Sequence, residues 1–314
     1  MTQRRLGRTN IVIAPLIIGT NVTGWTSDES TSVAVFDAFI AEGFSAIDTA
    51  DAYSRWVPGN HSESERIIGR WMKSRGNRDK VHILTKVGSD MGQGKRDLSA
   101  QWIERAVEGS LARLQTDYID LYQSHWPDPT VTHDETLHAY QRLIASGKVR
   151  FIGASNYDHA LLSGALAVSE AKALPRYETL QNEYNLYTRD RYEGAVQELV
   201  VREGLGAIPY YALAAGFLTG KYRTDADLSK SPRGAGVKKY LDAKGMRLLA
   251  AMDAVAESTG AQHSEIALAW INAQPGIVAP IASATSVAQL ESLARGARLL
   301  LAPDDVQRLT GAGR

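Results

Sequence analysis

The 314 residues carry 35 Lys+Arg against 35 Asp+Glu, a formal net charge of zero, so the long-range field that gathers nucleic acid or an anionic membrane surface is missing. With 44% hydrophobic and 22% charged residues, the composition is that of a globular protein with a sizeable core, which excludes disordered and fibrous classes. Cysteine is absent, and a disulfide scaffold, a thiolate zinc site, an iron–sulfur cluster and a cysteine nucleophile go with it.

In chain order, the opening Met1-Thr2-Gln3-Arg4-Arg5 and the apolar stretch Ile11 to Ile18 imitate a secretory signal. Gly7, Asn10 and Pro15 interrupt it and no small-residue cleavage site follows, so the segment reads as a short hairpin leading into a first strand. Strands are predicted at Leu16–Gly19, Ser45–Asp48, Val81–Val87, Ile119–Ser124, Arg150–Ala154, Glu178–Asn182, Gly206–Tyr210 and Ile277–Ile281. Amphipathic helices lie between them. Ala100, Ile103, Val107, Leu111 and Leu114 recur at three- and four-residue steps, with Ser99 placed to cap that helix. No apolar run approaches the roughly 20 residues that a bilayer requires, and a cytoplasmic protein is expected.

Eight βα units predict an α/β fold, a (β/α)8 TIM barrel of about 250 residues. An N-terminal β-hairpin, loops and extra helices would fill out residues 1–314 as a single domain. The polar stretch from Arg223 to Tyr240 reads either as a linker or as a ligand lid after the seventh strand. A doubly wound dinucleotide fold would place a G-x-G-x-x-G turn after an early strand, whereas Gly19 is followed by Thr20-Asn21-Val22-Thr23-Gly24.

Barrel catalysts sit at the C-terminal ends of strands. The second strand delivers Asp48, then Asp51 and Tyr53; the third ends at Lys86; the fourth leads to His125 and Trp126. Each has a structural reading of its own: a turn cap, a counter-charge, a pocket wall, a satisfied core histidine. Together, ionisable groups of complementary type at one mouth point to a site. Of the seven histidines only His125 is placed for metal ligation, so no metal is expected. A Schiff-base role for Lys86 is opposed by Asp48 and Asp51, which would hold it protonated.

These residues resemble the aldo-keto reductases, NAD(P)H-dependent barrel oxidoreductases. The resemblance rests on Asp48-Thr49-Ala50-Asp51-Ala52-Tyr53, Ser64 to Gly69, Leu84-Thr85-Lys86, Ser110 to His125, Gly147 to Asn156, Gln181 to Asn185 and Gly216 to Tyr222, in family order. It implies a catalytic tetrad of Asp48, Tyr53, Lys86 and His125. It also implies that Ser155, Asn156 and Gln181 hold the nicotinamide carboxamide and that Tyr210 stacks on its ring. Leu213, Gly216, Leu218 and Lys221 would wrap the pyrophosphate; Ser283, Thr285 and Gln289 would hold the adenosine end; Thr20 and Asn21 would complete the cofactor set. Thr285, Ser292 and Leu293 depart from the family's usual Arg or Ser, acid and Asn. NADP(H) is therefore the family default, with NAD(H) as the alternative, and Lys221, Arg223, Lys230 and Arg233 suggest a local cationic cluster for a phosphate.

The implied reaction is reduction of a small aldehyde or ketone, or its reverse, with Tyr53 as proton donor and His125 orienting the carbonyl. A Lys86 ammonium ~4 Å from the phenol would favour phenolate by roughly 4 kcal/mol at an effective dielectric of ~20. Asp48 would offset part of that, for a net downward shift at Tyr53. Trp25, Trp56 and Trp126 follow strands one, two and four and suggest an aromatic wall for an apolar or flat substrate. The resemblance also covers a second class, cofactor-sensing regulatory subunits that bind a partner.

Overall fold

The computed structural model describes residues 2–230 and 234–314. An antiparallel hairpin, β1 (Arg4–Arg5) and β2 (Val12–Ile13), precedes the first barrel strand, β3 (Ile17–Gly19). Then come α1 (Glu29–Ala41), β4 (Ala46–Asp48), α2 (Glu63–Arg75), β5 (His82–Val87) and α3 (Ala100–Leu114). The alternation continues through β6 (Ile119–Ser124), α4 (His133–Ala145), β7 (Val149–Ser155), α5 (His159–Lys172), β8 (Tyr177–Gln181), α6 (Ala195–Glu203) and β9 (Gly206–Ala207). Helices α7 (Ala243–Thr259) and α8 (His263–Asn272) precede β10 (Ile281–Ala282), followed by α9 (Val287–Arg298) and α10 (Pro303–Ala312). The eight strands β3 to β10 are parallel in the order β10-β3-β4-β5-β6-β7-β8-β9, a (β/α)8 barrel. Among the described residues no helix is long and apolar enough to cross a membrane.

Local chemistry sets the elements. In α3 the Ser99 side chain accepts from the Trp102 N–H, and Ile103, Val107, Leu111 and Leu114 form the buried stripe. The eighth strand departs from the expected Ile277–Ile281: Ile277 makes an isolated bridge to Ala207, and regular pairing with β3 begins only at Ile281. Pro280 has no N–H to donate to a ladder. The barrel closes through single bonds instead, Val278 N–H to Ala207 O at 2.8 Å, Ile281 N–H to Pro209 O at 2.8 Å, and Ile17 N–H to Pro280 O at 3.0 Å.

The described parts of the polar stretch after β9 are folded, and its second half is packed. Short 3-10 turns cover Asp225–Lys230 and Gly234–Tyr240, Val237 and Tyr240 are buried, and Tyr240 stacks on Phe217 at 5.4 Å. Arg233 of the expected cationic cluster lies outside the described residues.

The N-terminal hairpin closes one end of the barrel. Leu6, Ile11 and Ile13 share a buried apolar cluster with the inward residues Ile17, Ala46, Leu84 and Leu121. Gly7, at φ +62°, makes the approach possible, because a Cβ there would stand 2.2 Å from the Glu178 carbonyl oxygen. At the same end the buried Asp120 carboxylate receives Arg78 Nη2 at 2.8 Å, Arg150 Nη1 at 2.7 Å and the Ile83 N–H at 2.9 Å. Burial alone would raise this carboxyl, but nearby His82, the Arg78 charge and these hydrogen bonds bring it down to about 2.

A depressed carboxyl contributes stability that is present above its unfolded value of about 3.9 and is lost as pH falls toward its folded value. Asp120→Asn is expected to lower the unfolding free energy by about 2–3 kcal/mol near neutrality. In urea titrations the gap from wild type should narrow as the pH is taken from about 5 to about 2.

Candidate active site

Alternate residues of each strand face the barrel axis. Along that face the apolar layer of Ile17, Ala46, Leu84 and Leu121 gives way, two residues further on, to Gly19, Asp48, Lys86 and Gln123, with Gly153 paired beside Gln123 and with Gln181 on β8. The polar layer lies at the C-terminal ends of the strands, opposite the hairpin. The glycines leave it room: a Cβ on Gly153 would meet Thr179 Oγ1 at 2.2 Å and Gln123 Cγ at 3.1 Å.

Lys86 is 0% exposed and Asp48 1%. The lysine Nζ donates to Asp48 Oδ2 at 2.7 Å, to the Thr49 carbonyl at 2.7 Å and to the Tyr53 hydroxyl at 3.1 Å. Three donors thus find three acceptors, as an ammonium requires. The second Asp48 oxygen accepts from Gln181 Nε2 at 2.9 Å. Burial lowers the Lys86 ammonium, and the Asp48 charge opposes that. An amine whose three hydrogen bonds are all donated offers no lone pair for Schiff-base attack.

Tyr53 reverses the expected sign. Burial raises its phenol well above the ordinary value and the Asp48 carboxylate adds to this, so the resting group is a neutral O–H. Desolvation of a phenolate outweighs the attraction of an ammonium that already has its own counter-ion. His125 lies with its ring 5.9 Å from that of Tyr53. Burial, then the Lys86 and Arg96 charges, lower it well below the usual imidazole range, so it is neutral. Its Nδ1 meets Ser89 Oγ at 3.0 Å. When that serine donates, Nε2 carries the remaining proton toward the mouth.

The mouth opens into a cavity of about 1610 Å³ running from Asp48, Tyr53 and His125 to the start of α9, larger than the ~300–1,000 Å³ of a pocket for one small ligand. Ser155, Asn156, Gln181 and Tyr210 line it together. The Tyr210 hydroxyl donates to Asn156 Oδ1 at 2.8 Å, and Asn156 Nδ2 donates to the His125 carbonyl at 2.9 Å, with the Asn156 backbone at φ +61°. Asn21, Leu213, Gly216, Lys221, Ser283, Thr285 and Gln289 line its length. Positive φ at Tyr211, Ala214, Ala215 and Gly216 bends the loop after β9 around the cavity, backbone strain of the sort that gathers at ligand sites. This size, length and lining fit a dinucleotide with a small carbonyl beside it.

The sequence profile of the Aldo/keto reductase family matches residues 15–314. The chain belongs to the aldo/keto reductase family. Among curated relatives, the "Uncharacterized oxidoreductase YrpG" of Bacillus subtilis is 34% identical, over 94% of this chain and 91% of its own length. The "Aldo-keto reductase YhdN" of the same organism is 33% identical, over 93% and 88%. "Norsolorinic acid reductase B" of Aspergillus parasiticus is 29% identical, over 96% and 81%. This aldo/keto reductase is an oxidoreductase of a family that works with nicotinamide cofactors on small carbonyl compounds.

Four of the site residues named from the sequence do not line the cavity of this aldo/keto reductase, the fully buried Lys86 among them. Thr20 is buried and donates to the Asp48 carbonyl at 2.9 Å, Leu218 is core, and Trp25 packs edge-on against Trp56 at 5.6 Å. Trp56 and Trp126 do line it. Of the expected cations, Lys221 and Lys230 reach the cavity, whereas Arg223 is committed to a bidentate pair with Asp253. Ser89, Gln123 and Tyr211 are additions; the available signal was position, Ser89 and Tyr211 just beyond predicted strand ends and Gln123 next to the end of one.

Removing the Asp48 anion leaves a buried ammonium without its partner. Asp48→Asn is expected to cost about 3–5 kcal/mol of stability, and Asp48→Asn combined with Lys86→Met should recover a large part of it in urea unfolding at neutral pH. A single variant within about 0.5 kcal/mol of wild type would refute the pairing energetics.

Proposed function

We propose that this chain reduces an aldehyde or ketone to the alcohol, and runs the reverse reaction, with NADP(H) as cofactor and the tetrad Asp48, Tyr53, Lys86 and His125 as its chemical centre. The carrying observation is the triply bonded Lys86, which ties the Asp48 carboxylate to the hydroxyl of Tyr53 at the floor of an aromatic mouth. Bound reduced nicotinamide supplies the hydride; the protein's task is orientation and the proton.

Ser155, Asn156 and Gln181 would hold the carboxamide, with Tyr210 against the ring. His125, neutral, would donate through Nε2 to the substrate oxygen and fix the carbonyl. Tyr53 then gives its proton to that oxygen and is left as a phenolate. Its high resting value keeps the proton in place until charge develops on the carbonyl, and the ammonium 3.1 Å away stabilises the anion formed. Stabilisation realised as the proton moves, rather than beforehand, is what raises a rate.

Lys221 and Lys230, both lining the cavity, support NADP(H) over NAD(H); Lys230 is shared with Asp227 at 2.7 Å. The zero net charge is in keeping with a free small-molecule substrate rather than nucleic acid or membrane, and we propose a cytoplasmic enzyme. Trp56, Trp126 and Tyr211 around the mouth favour an apolar or flat carbonyl compound.

Single-turnover reduction under saturating NADPH tests the centre. Tyr53→Phe is expected to slow hydride transfer by about 10²-fold or more, the usual scale for general acid catalysis, and His125→Ala to lose mainly substrate orientation. Near-normal transfer in Tyr53→Phe would overturn the assignment. For the pocket, Trp56→Ala and Trp126→Ala should raise KM for aromatic carbonyls about tenfold and reorder an aldehyde and ketone panel. Trp25→Ala, acting through Trp56, should do less, and an unchanged order in all three removes the tryptophans from substrate recognition.

A further inference from the structure

The most unusual buried group lies three residues from Asp48. Asp51 is 1% exposed, and both of its carboxyl oxygens lack a hydrogen-bond partner. Its acidic neighbours are each provided for. Asp48 has Lys86, and Glu65 receives Arg113 Nε at 2.7 Å and the Thr85 hydroxyl at 2.6 Å.

Two anions and two cations therefore already balance, and an ionised Asp51 would leave one uncompensated negative charge in the interior, which is strongly unfavourable. The charged groups that act on it come from three elements: Glu65 on α2, Arg113 on α3 and Lys86 on β5. Its own charge bears in turn on Tyr53, on Tyr122 of β6 and on Tyr140 of α4. Burial, reinforced by Glu65 and opposed by Arg113, the nearby Ala52 N–H and Lys86, pushes its carboxyl up to about 8.

We propose that Asp51 is a positioning residue for proton transfer at Tyr53: it rests as a neutral acid in the Lys86 cluster, and its ionisation in alkaline solution adds a negative charge that tightens the phenol's hold on its own proton. The inference rests on the reading of Tyr53 as the proton-transferring group. Reduction needs Tyr53 protonated and alcohol oxidation needs it as phenolate, so the charge on Asp51 extends reduction to higher pH and delays oxidation. No electron or heavy atom moves in this step; one proton passes from the Asp51 carboxyl to solvent hydroxide.

Two readouts on the whole protein do not depend on turnover. Infrared spectroscopy of wild type near neutral pH is expected to show a protonated-carboxyl band that fades on alkaline titration and is missing in Asp51→Asn. Tyrosinate absorbance, taken as the difference between proteins with and without Tyr53→Phe, should give a Tyr53 midpoint about one pH unit lower in Asp51→Asn than in its Asp51 parent. Asp51→Leu is the second neutral variant, and the wild-type band needs no variant at all. The alkaline limb of kcat/KM for alcohol oxidation should move down by the same amount. Absence of the band in wild type, its survival in a folded variant, or an unmoved Tyr53 midpoint overturns the proposal. A midpoint that moves while the oxidation limb stays overturns the Tyr53 proton-donor reading and leaves the electrostatic effect of Asp51 standing.

Discussion

A lysine ammonium without solvent is the constraint around which this barrel is organised. Taking such a charge out of water costs several kcal/mol even after relaxation, so Lys86 is viable only with Asp48 at 2.7 Å and two further acceptors. Asp48 in turn needs Gln181 for its other oxygen. That requirement turns one layer of an otherwise apolar interior polar, and within that layer Gly153 leaves space for Gln123. The site is the upper surface of this layer.

Around the pair, three neighbouring titratable groups rest uncharged. Tyr53 keeps its proton, His125 is neutral, and Asp51 is held as an acid. A neutral donor set over a compensated ion pair suits a reaction in which charge appears only briefly on the substrate oxygen, because the preset dipoles need not reorganise when it does.

Much of this was legible in one dimension. Short strand-like runs with polar ends marked β4, β5 and β6 along with Asp48, Lys86 and His125, and the stripe behind Ser99 marked α3, because those signals come from residues close in sequence. The interruption at Pro280 and the brevity of β9 depended on which partner each N–H faces across the barrel. The positive φ values at Tyr211, Ala214 and Ala215 carry no glycine to announce them. The sign at Tyr53 failed because pairwise attraction can be argued from residue types, whereas burial requires the packed structure. The same holds for Asp51, whose isolation follows from Arg113 being spent on Glu65.

The hairpin plug under Ile17, Ala46, Leu84 and Leu121 closes the barrel at the end opposite its polar layer. Nothing can thread the barrel axis from the hairpin end to Lys86, so the buried ion pair meets solvent and ligands from the cavity side.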